Sequence, residues 1–167
     1  MFVLVTGPAG SGKTTVSRPL AHRLGLPLIA KDAIKDALID VLGAADVTRS
    51  RELGRAAVAV MKGVVAGLPA AVVDSVWIER EAAIEWAQTL PGRVIEVFCR
   101  CDLGVLEQRY RERVQSRGAG NFDLERTQEE LWAERYLQPL NGNWSVIEVD
   151  TTQPLDLDRL VVAVINH

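Results

Sequence analysis

The stretch that decides the fold reads Gly7-Pro8-Ala9-Gly10-Ser11-Gly12-Lys13-Thr14. It completes the pattern G-x-x-x-x-G-K-[ST], follows the apolar run Phe2–Thr6 and opens a helical pattern, which is the setting of a phosphate-binding P-loop. The glycines let several backbone N–H groups point into one concavity, and the helix N-terminus behind them adds roughly half a positive charge. The pattern predicts that Lys13 reaches the β- and γ-phosphates of a nucleotide and that Thr14 ligates Mg²⁺. We extend this predicted nucleotide site to Thr15.

The size and charge of the chain narrow the class of protein. With 167 residues it fits one domain over 1–167, and its formal charge of −3 comes with dispersed basic residues rather than a basic stripe. We therefore expect no nucleic-acid partner. No apolar stretch approaches the roughly 20 residues of a membrane span, and no basic segment of a targeting signal precedes the first strand. We expect a soluble, cytoplasmic protein without a membrane partner.

Five apolar runs alternate with helical patterns through short connections, which is typical of an α/β protein with a parallel sheet covered on both faces. The predicted strands are Phe2–Thr6, Pro27–Ala30, Ala70–Asp74, Arg93–Phe98 and Ser145–Val149.

Helical spacing of apolar residues predicts the elements between these strands. The first helix follows the P-loop, ends near Gly25 and contains Pro19, which should bend it near Thr15–Arg18. A second helix carries Ile34, Leu38 and Leu42 on one stripe. Further helices are predicted over Arg49–Ala66, Glu81–Leu90, Leu103–Arg117, Asp123–Tyr136 and Asp156–Ile165. The glycine-containing stretch Ser116–Phe122 is either a mobile flap or an ordinary surface turn.

Two aspartates follow predicted strands. Because residues just past the carboxyl ends of parallel strands converge on one crevice, Asp32 and Asp74 can both face the P-loop. Asp74 ends an apolar strand in the manner of a Walker B carboxylate, and it would hold Mg²⁺ through water or contact the substrate. The alternatives are that Asp32 caps the following helix and that Asp74 caps the loop after its strand.

Three arginines, Arg109, Arg113 and Arg117, recur every four residues and share one helical face. Such a cationic row suits nucleotide phosphates. A solvated face is the alternative, because the same helix also carries Glu107 and Glu112.

With the P-loop, Lys31-Asp32, Asp74 and the Arg109/Arg113 pair, the chain resembles the small P-loop kinases over nearly its whole length. It looks most like the branch with chloramphenicol phosphotransferase and zeta-toxin-like kinases, and more distantly like shikimate and gluconate kinases. The resemblance implies a three-layer α/β/α fold, a five-stranded parallel sheet in order 2-3-1-4-5, ATP at its carboxyl edge, and a small helical lid at about 117–124.

The resemblance also implies roles for single residues. In similar kinases the aspartate matching Asp32 binds the acceptor hydroxyl and is the proposed base, and the arginines matching Arg109 and Arg113 reach adenine and phosphates. Trp77 and Arg80 lie where similar kinases contact the acceptor, although Trp77 could simply pack in the core. We expect Lys35 to contribute to the acceptor site, and Pro154 to form one side of the adenine slot. Where relatives often have a lid histidine, this chain has Asn121.

The expected function is that of an ATP- and Mg²⁺-dependent kinase acting on a hydroxyl of a small molecule, with Lys13, Asp32 and Arg113 as catalytic residues. The acceptor could be an antibiotic, a sugar-like compound or another metabolite. A nucleoside or nucleotide kinase and a non-catalytic ATP-binding switch are the alternatives. Nothing in the residues decides the acceptor or the oligomeric state.

Overall fold

The computed structural model describes residues 1–116 and 119–167. Its centre is a sheet of five parallel strands in the order β2-β3-β1-β4-β5, which confirms the expected topology. The strands are β1 (Phe2–Thr6), β2 (Leu28–Ala30), β3 (Ala71–Asp74), β4 (Val94–Arg100) and β5 (Ser145–Asp150).

Helices connect and flank the strands. They are α1 (Lys13–Leu24), α2 (Lys31–Leu42), α3 (Val47–Ala66), α4 (Arg80–Gln88), α5 (Leu103–Ser116), α6 (Gln128–Trp132) and α7 (Leu157–Asn166). Pro19 lies inside α1. The bend expected near it stays a prediction.

The single helix predicted over Asp123–Tyr136 is wrong. The structure instead has a 3-10 turn at Asp123–Glu125, the short α6, and a second 3-10 turn at Glu134–Tyr136. Thr127 starts α6 with a capping box, in which its hydroxyl accepts from the Glu130 N–H and the Glu130 carboxylate accepts from the Thr127 N–H. Extended backbone at Ala133 (φ −52°, ψ 145°) separates α6 from the second turn. Local capping therefore outweighs the helical character of this charged segment.

The two faces of the sheet bury separate apolar clusters, because side chains of a strand alternate between faces. Phe2 and Leu4 of β1 pack with residues of α3 and α4, whereas Val3 and Val5 pack with residues of α1 and α7. All five residues of β1 are buried, as expected for a central parallel strand. This rigid centre supports the loop that follows β1.

The register of the sheet brings three strand ends to one level. Val5 of β1 pairs with Asp74, and Ala30 of β2 pairs with the same Asp74. The P-loop, the start of α2 and the end of β3 therefore meet at the carboxyl edge of the sheet.

Within residues 1–116 and 119–167, none of the helices combines the length and apolar character needed to cross a bilayer.

Candidate active site

The P-loop has the backbone conformation that only glycine adopts easily. Gly7, Gly10 and Gly12 have φ angles of 135°, 82° and 78°, in the region that other residues rarely occupy. A Cβ on Gly7 would lie 2.7 Å from the Cys99 carbonyl oxygen, and one on Gly10 would lie 2.7 Å from the Leu106 carbonyl oxygen. The loop is thus pressed against β4 and α5 by backbone contacts that no side chain would permit.

Lys13 is buried beneath this loop, with 9% of its surface exposed. Its Nζ donates to the Pro8 carbonyl oxygen at 2.7 Å, so the ammonium group is held by the loop itself. Burial lowers the pKa of Lys13, and the nearby charge of Asp74 opposes that effect. The buried hydroxyl of Ser11 has no hydrogen-bond partner among the described residues. An ammonium group and an orphaned hydroxyl in a positive-φ loop fit the phosphates of a nucleotide.

Asp74 lies directly against the start of α1. Its Oδ2 accepts hydrogen bonds from Thr14 Oγ1 and Ser17 Oγ, each at 2.9 Å. The structure therefore brings the predicted metal-binding pair Thr14 and Asp74 together across 60 positions of sequence. A hydroxyl and a carboxylate oxygen are donors that suit Mg²⁺, which also retains waters. Ser17 was missed by the sequence analysis, although it follows Thr14 by three residues and so shares its helix face.

Asp32 and Arg113 form a close ion pair at the same edge. The Arg113 guanidinium donates to Asp32 Oδ2 at 2.5 Å, while Lys31 Nζ lies 3.1 Å from Asp32 Oδ1. Burial lowers the pKa of Arg113, but the charge and hydrogen bond of Asp32 outweigh it and hold that pKa above its usual value. Asp32 lies in the first turn of α2, directly after β2, and Ala30 of β2 pairs with Asp74, so the ion pair lies at the same carboxyl edge of the sheet as the P-loop.

Arg109 joins α5 to the loop after β5. It donates to the Thr151 carbonyl oxygen at 2.8 Å and to Thr151 Oγ1 at 3.2 Å. A Cβ on Gly12 would lie 3.5 Å from the Thr151 side chain, so this loop borders the P-loop. Pro154 follows in the same loop and is exposed.

The third member of the arginine row, Arg117, lies outside the described residues, as does Gly118. The predicted lid at 117–124 is therefore described from residue 119 onward.

Lys35 lies at the centre of a buried polar cluster. Its Nζ donates to Ser50 Oγ at 2.9 Å, and Ser50 donates in turn to the Asn121 carbonyl oxygen at 3.1 Å. The Asn121 side chain donates to Asp36 Oδ1 at 3.1 Å. A Cβ on Gly120 would lie 2.6 Å from Ile39 Cγ2, so glycine permits this close approach to α2. These contacts dock residues 119–121 onto α2 and α3.

Trp77 and Arg80 line a small cavity with Thr6, Gly7 and Tyr136. Trp77 is 7% exposed, and its ring lies against Trp86 with 5.3 Å between the ring centroids.

The guanidinium of Arg80 donates to four backbone carbonyl groups, those of Arg135, Gln138, Pro139 and Leu140. In this structure Arg80 thus fixes the backbone after α6. The acceptor contacts expected of Trp77 and Arg80 stay predictions.

Glu96 was missed by the sequence analysis. It is fully buried in β4, where its carboxylate accepts from Thr6 Oγ1 at 2.6 Å and from the Leu140 N–H at 2.7 Å. The Asn141 N–H and the Trp144 indole N–H donate to its other oxygen at 3.3 and 3.2 Å. Glu96 therefore ties the residue before the P-loop to the loop that leads into β5. A lone acid inside the apolar run Arg93–Phe98 was the available signal.

The P-loop, the sheet order and the carboxylates at the sheet edge define a protein with the P-loop kinase fold. The chain belongs to the AAA_33 family, described as an AAA domain, whose family model matches residues 2–150. No curated protein matches the chain significantly.

Solved structures with this fold cover nearly the whole chain. A candidate kinase from Chloroflexus aurantiacus j-10-fl is 28% identical, with a TM-score of 0.83 over 99% of this chain and 97% of that one. Shikimate kinase from Acinetobacter baumannii in complex with shikimate is 19% identical, with a TM-score of 0.61 over 99% and 90%. Kti12 from Chaetomium thermophilum in complex with ADP-AlF3 is also 19% identical, with a TM-score of 0.66 over 99% and 97%. The family match and the candidate kinase support a nucleotide-binding, kinase-like protein, and the two less similar structures show the fold alone.

Proposed function

We propose that this protein is an ATP- and Mg²⁺-dependent kinase that transfers the γ-phosphoryl group to a hydroxyl of a small molecule. The observation that carries the proposal is the Asp32–Arg113 pair at the carboxyl edge of the sheet, where the P-loop begins. Phosphoryl transfer needs a carboxylate to orient the acceptor hydroxyl and positive charge on the transferring oxygens. The pair offers both groups at the edge of the sheet where a nucleotide γ-phosphate would end.

In the proposed step, the acceptor oxygen attacks the γ-phosphorus, the bond from that phosphorus to the β,γ-bridging oxygen breaks, and ADP leaves. The proton of the acceptor hydroxyl passes to the Asp32 carboxylate. Lys13 and Arg113 balance the negative charge on the phosphoryl oxygens. This requires Lys13 to exchange the Pro8 carbonyl for phosphate, and Arg113 to turn from Asp32 toward the nucleotide.

Mg²⁺ would be held by Thr14 and, through water, by Asp74, whose oxygens are already in contact. The bound ion would neutralise charge on the β- and γ-phosphates. Ser17 donates to the same Asp74 oxygen as Thr14 and helps to orient the carboxylate.

Arg109 and Pro154 would border adenine, since both belong to the region around Thr151 that adjoins Gly12.

For the acceptor we propose contacts with Asp32, Lys35, Asp74, Trp77 and Arg80. Lys35 supports this because it is a buried cation within a polar cluster closed by residues 119–121. Access to that cluster requires the segment to lift from α2. The resemblance to chloramphenicol phosphotransferase favours an antibiotic-like acceptor, and the shikimate-bound neighbour favours a small hydroxylated metabolite.

A second candidate function is that of an ATP-binding switch. It is favoured by the structural likeness to Kti12, whose structure holds ADP-AlF3. P-loop folds serve both uses. A nucleoside or nucleotide kinase is a third possibility on the same scaffold.

A mass-spectrometric screen separates these functions. Wild-type protein is incubated with ATP, Mg²⁺ and pools of hydroxylated metabolites, nucleosides and antibiotics, beside the Lys13→Ala and Asp32→Asn variants. Asp40→Asn is the matched control, because Asp40 is an exposed aspartate on the same helix as Asp32.

A compound that gains one phosphoryl group with wild type and Asp40→Asn, but not with the other two variants, supports the proposal and names the acceptor. Binding of ATP with no product from any pool favours the switch.

A further inference from the structure

The indole of Trp132 reaches the P-loop from a distant part of the chain. Trp132 ends α6, and its Nε1–H donates to the Ala9 carbonyl oxygen at 2.9 Å. Its ring lies edge-on against Tyr110 of α5, with 5.6 Å between centroids and an interplanar angle of 82°. The Tyr110 hydroxyl donates to the Asp123 carbonyl oxygen at 3.1 Å. The indole is therefore oriented before any ligand binds.

The Ala9 carbonyl belongs to the same peptide unit as the Gly10 N–H. The described chain has no cis peptide bond, and in a planar trans peptide the C=O and the following N–H point in opposite directions. When the Ala9 C=O points toward Trp132, the Gly10 N–H points away from it. In a P-loop the inward-facing N–H groups are the phosphate donors.

The backbone at Gly10 has few intrinsic conformational restraints of its own. Gly10 has a φ of 82° and no side chain to resist rotation. The carbonyl oxygen of the preceding peptide unit, that of Pro8, already accepts hydrogen bonds from Lys13 Nζ at 2.7 Å and from the Ser11 N–H at 3.3 Å. The contact from Trp132 supplies the corresponding restraint for Ala9.

We infer that Trp132 is a positioning residue of the phosphate site: it fixes the Ala9–Gly10 peptide so that the Gly10 N–H faces the nucleotide phosphates. The inference rests on the nucleotide-binding part of the proposed function.

Trp132 also links the phosphate site to the segment after the predicted lid. Glu130, two residues before Trp132 in α6, is paired with Arg51 of α3 at 2.8 Å. Docking of α6 and the shape of the P-loop are thereby coupled.

The test compares Trp132→Phe with Trp86→Phe. Both changes keep an aromatic ring and remove an indole N–H, and the indole N–H of Trp86 has no hydrogen-bond partner within the described residues. Affinities for ADP and for pyrophosphate, which carries no base, are measured by calorimetry. Losing one hydrogen bond that orients the site should weaken the binding of both ligands about three- to tenfold in Trp132→Phe. Trp86→Phe should bind both ligands as wild type does.

A second readout separates positioning from general stability. In ¹⁵N-labelled wild type, pyrophosphate should shift the amide resonance of Gly10 and the indole resonance of Trp132 together, since one peptide joins their partners. In Trp132→Phe the amide resonance of Gly10 should differ from that of wild type even without ligand. The wild-type shift can be measured even if the variant does not fold.

Equal ADP and pyrophosphate affinities in wild type and Trp132→Phe would overturn the inference and leave the proposed function standing. So would a Trp132 indole resonance that is unmoved when pyrophosphate binds to wild type. Wild-type protein that binds neither ligand would overturn the proposed function, and the inference with it.

Discussion

The nucleotide side and the acceptor side of the candidate site are held by different kinds of contact. On the nucleotide side, the loop Gly7–Thr14 is shaped by its own glycines and by backbone groups of β4 and α5. On the proposed acceptor side, the side chains of Lys35 in α2 and Ser50 in α3 meet each other, and Ser50 meets the backbone carbonyl group of Asn121 in a 3-10 turn. The predicted phosphate site is therefore encoded within one short motif, whereas the proposed acceptor site depends on how separate elements pack.

The largest expected effect separates the two sides functionally. Asp32→Asn should lower the rate of transfer to an identified acceptor by about a hundredfold to ten-thousandfold, because the amide cannot take the proton. Its affinity for ADP, measured by calorimetry, should stay within a factor of about three, since the P-loop is intact. Asp40→Asn serves as the control. Turnover by Asp32→Asn at the wild-type rate would remove Asp32 from the mechanism.

One added methyl group in the P-loop should be enough to weaken nucleotide binding. Gly10→Ala should weaken ADP binding about tenfold or more, because left-handed backbone costs other residues roughly 1–2 kcal/mol and the loop must shift to relieve it. The added Cβ would also meet the Leu106 carbonyl oxygen at 2.7 Å. Gly25→Ala is the matched control, with a φ of 65° and open space around the Cβ. It should lose stability alone, and equal ADP affinities for the two variants would contradict this account of the loop.

One added methyl group on the proposed acceptor side should instead lower the stability of the fold. Gly120→Ala places a Cβ 2.6 Å from Ile39 Cγ2, on a branched side chain that cannot swing aside. Overpacking of this kind should lower the free energy of unfolding in urea by about 1–3 kcal/mol, with little effect on ADP affinity. In contrast, Gly63→Ala in the middle of α3, where nothing lies within 4 Å, should be neutral or stabilising. A Gly120→Ala protein as stable as wild type would show that residues 119–121 are not packed on α2.

The smallest expected effect concerns Cys99, the residue of β4 that forms the wall behind Gly7 of the P-loop. Burial raises the pKa of Cys99 to about 12, and its Cβ lies 3.3 Å from where a Cβ of Gly7 would be. Because the thiolate is the reactive form, iodoacetamide at pH 8 should leave Cys99 unmodified in the folded protein and react at the partly exposed Cys101. Peptide mass spectrometry before and after unfolding gives the comparison. Rapid alkylation of Cys99 in the folded protein would mean that this wall opens.

The difference between the two sides also explains what the sequence could predict. The P-loop and the five strands follow from local patterns, and the position of Asp74 beside Thr14 follows from the convergence of parallel strand ends. The sheet order came from family resemblance. The role of each site residue stays a prediction.

What escaped the sequence analysis depends on contacts between distant elements. Asn121 and Ser50 meet across 71 positions, and Trp132 and Ala9 across 123. No periodicity reports such pairs. The start of α6 had a signal in the sequence, because Thr127 and Glu130 form the pattern of a capping box. The helix-favouring residues around them led instead to the prediction of one continuous helix.

Nucleotide phosphates are expected to bind in the loop Gly7–Thr14 beside Lys13. Titration of wild type, Lys13→Ala and Lys62→Ala with ATP and Mg²⁺ measures this binding, with Lys62→Ala as the control because Lys62 lies instead against Trp77 and Trp86. Wild type and Lys62→Ala should bind ATP, and Lys13→Ala should bind it at least about tenfold more weakly, since it lacks the charge-assisted contacts to phosphate. Equal ATP affinity in wild type and Lys13→Ala, or no binding by wild type, would contradict the account.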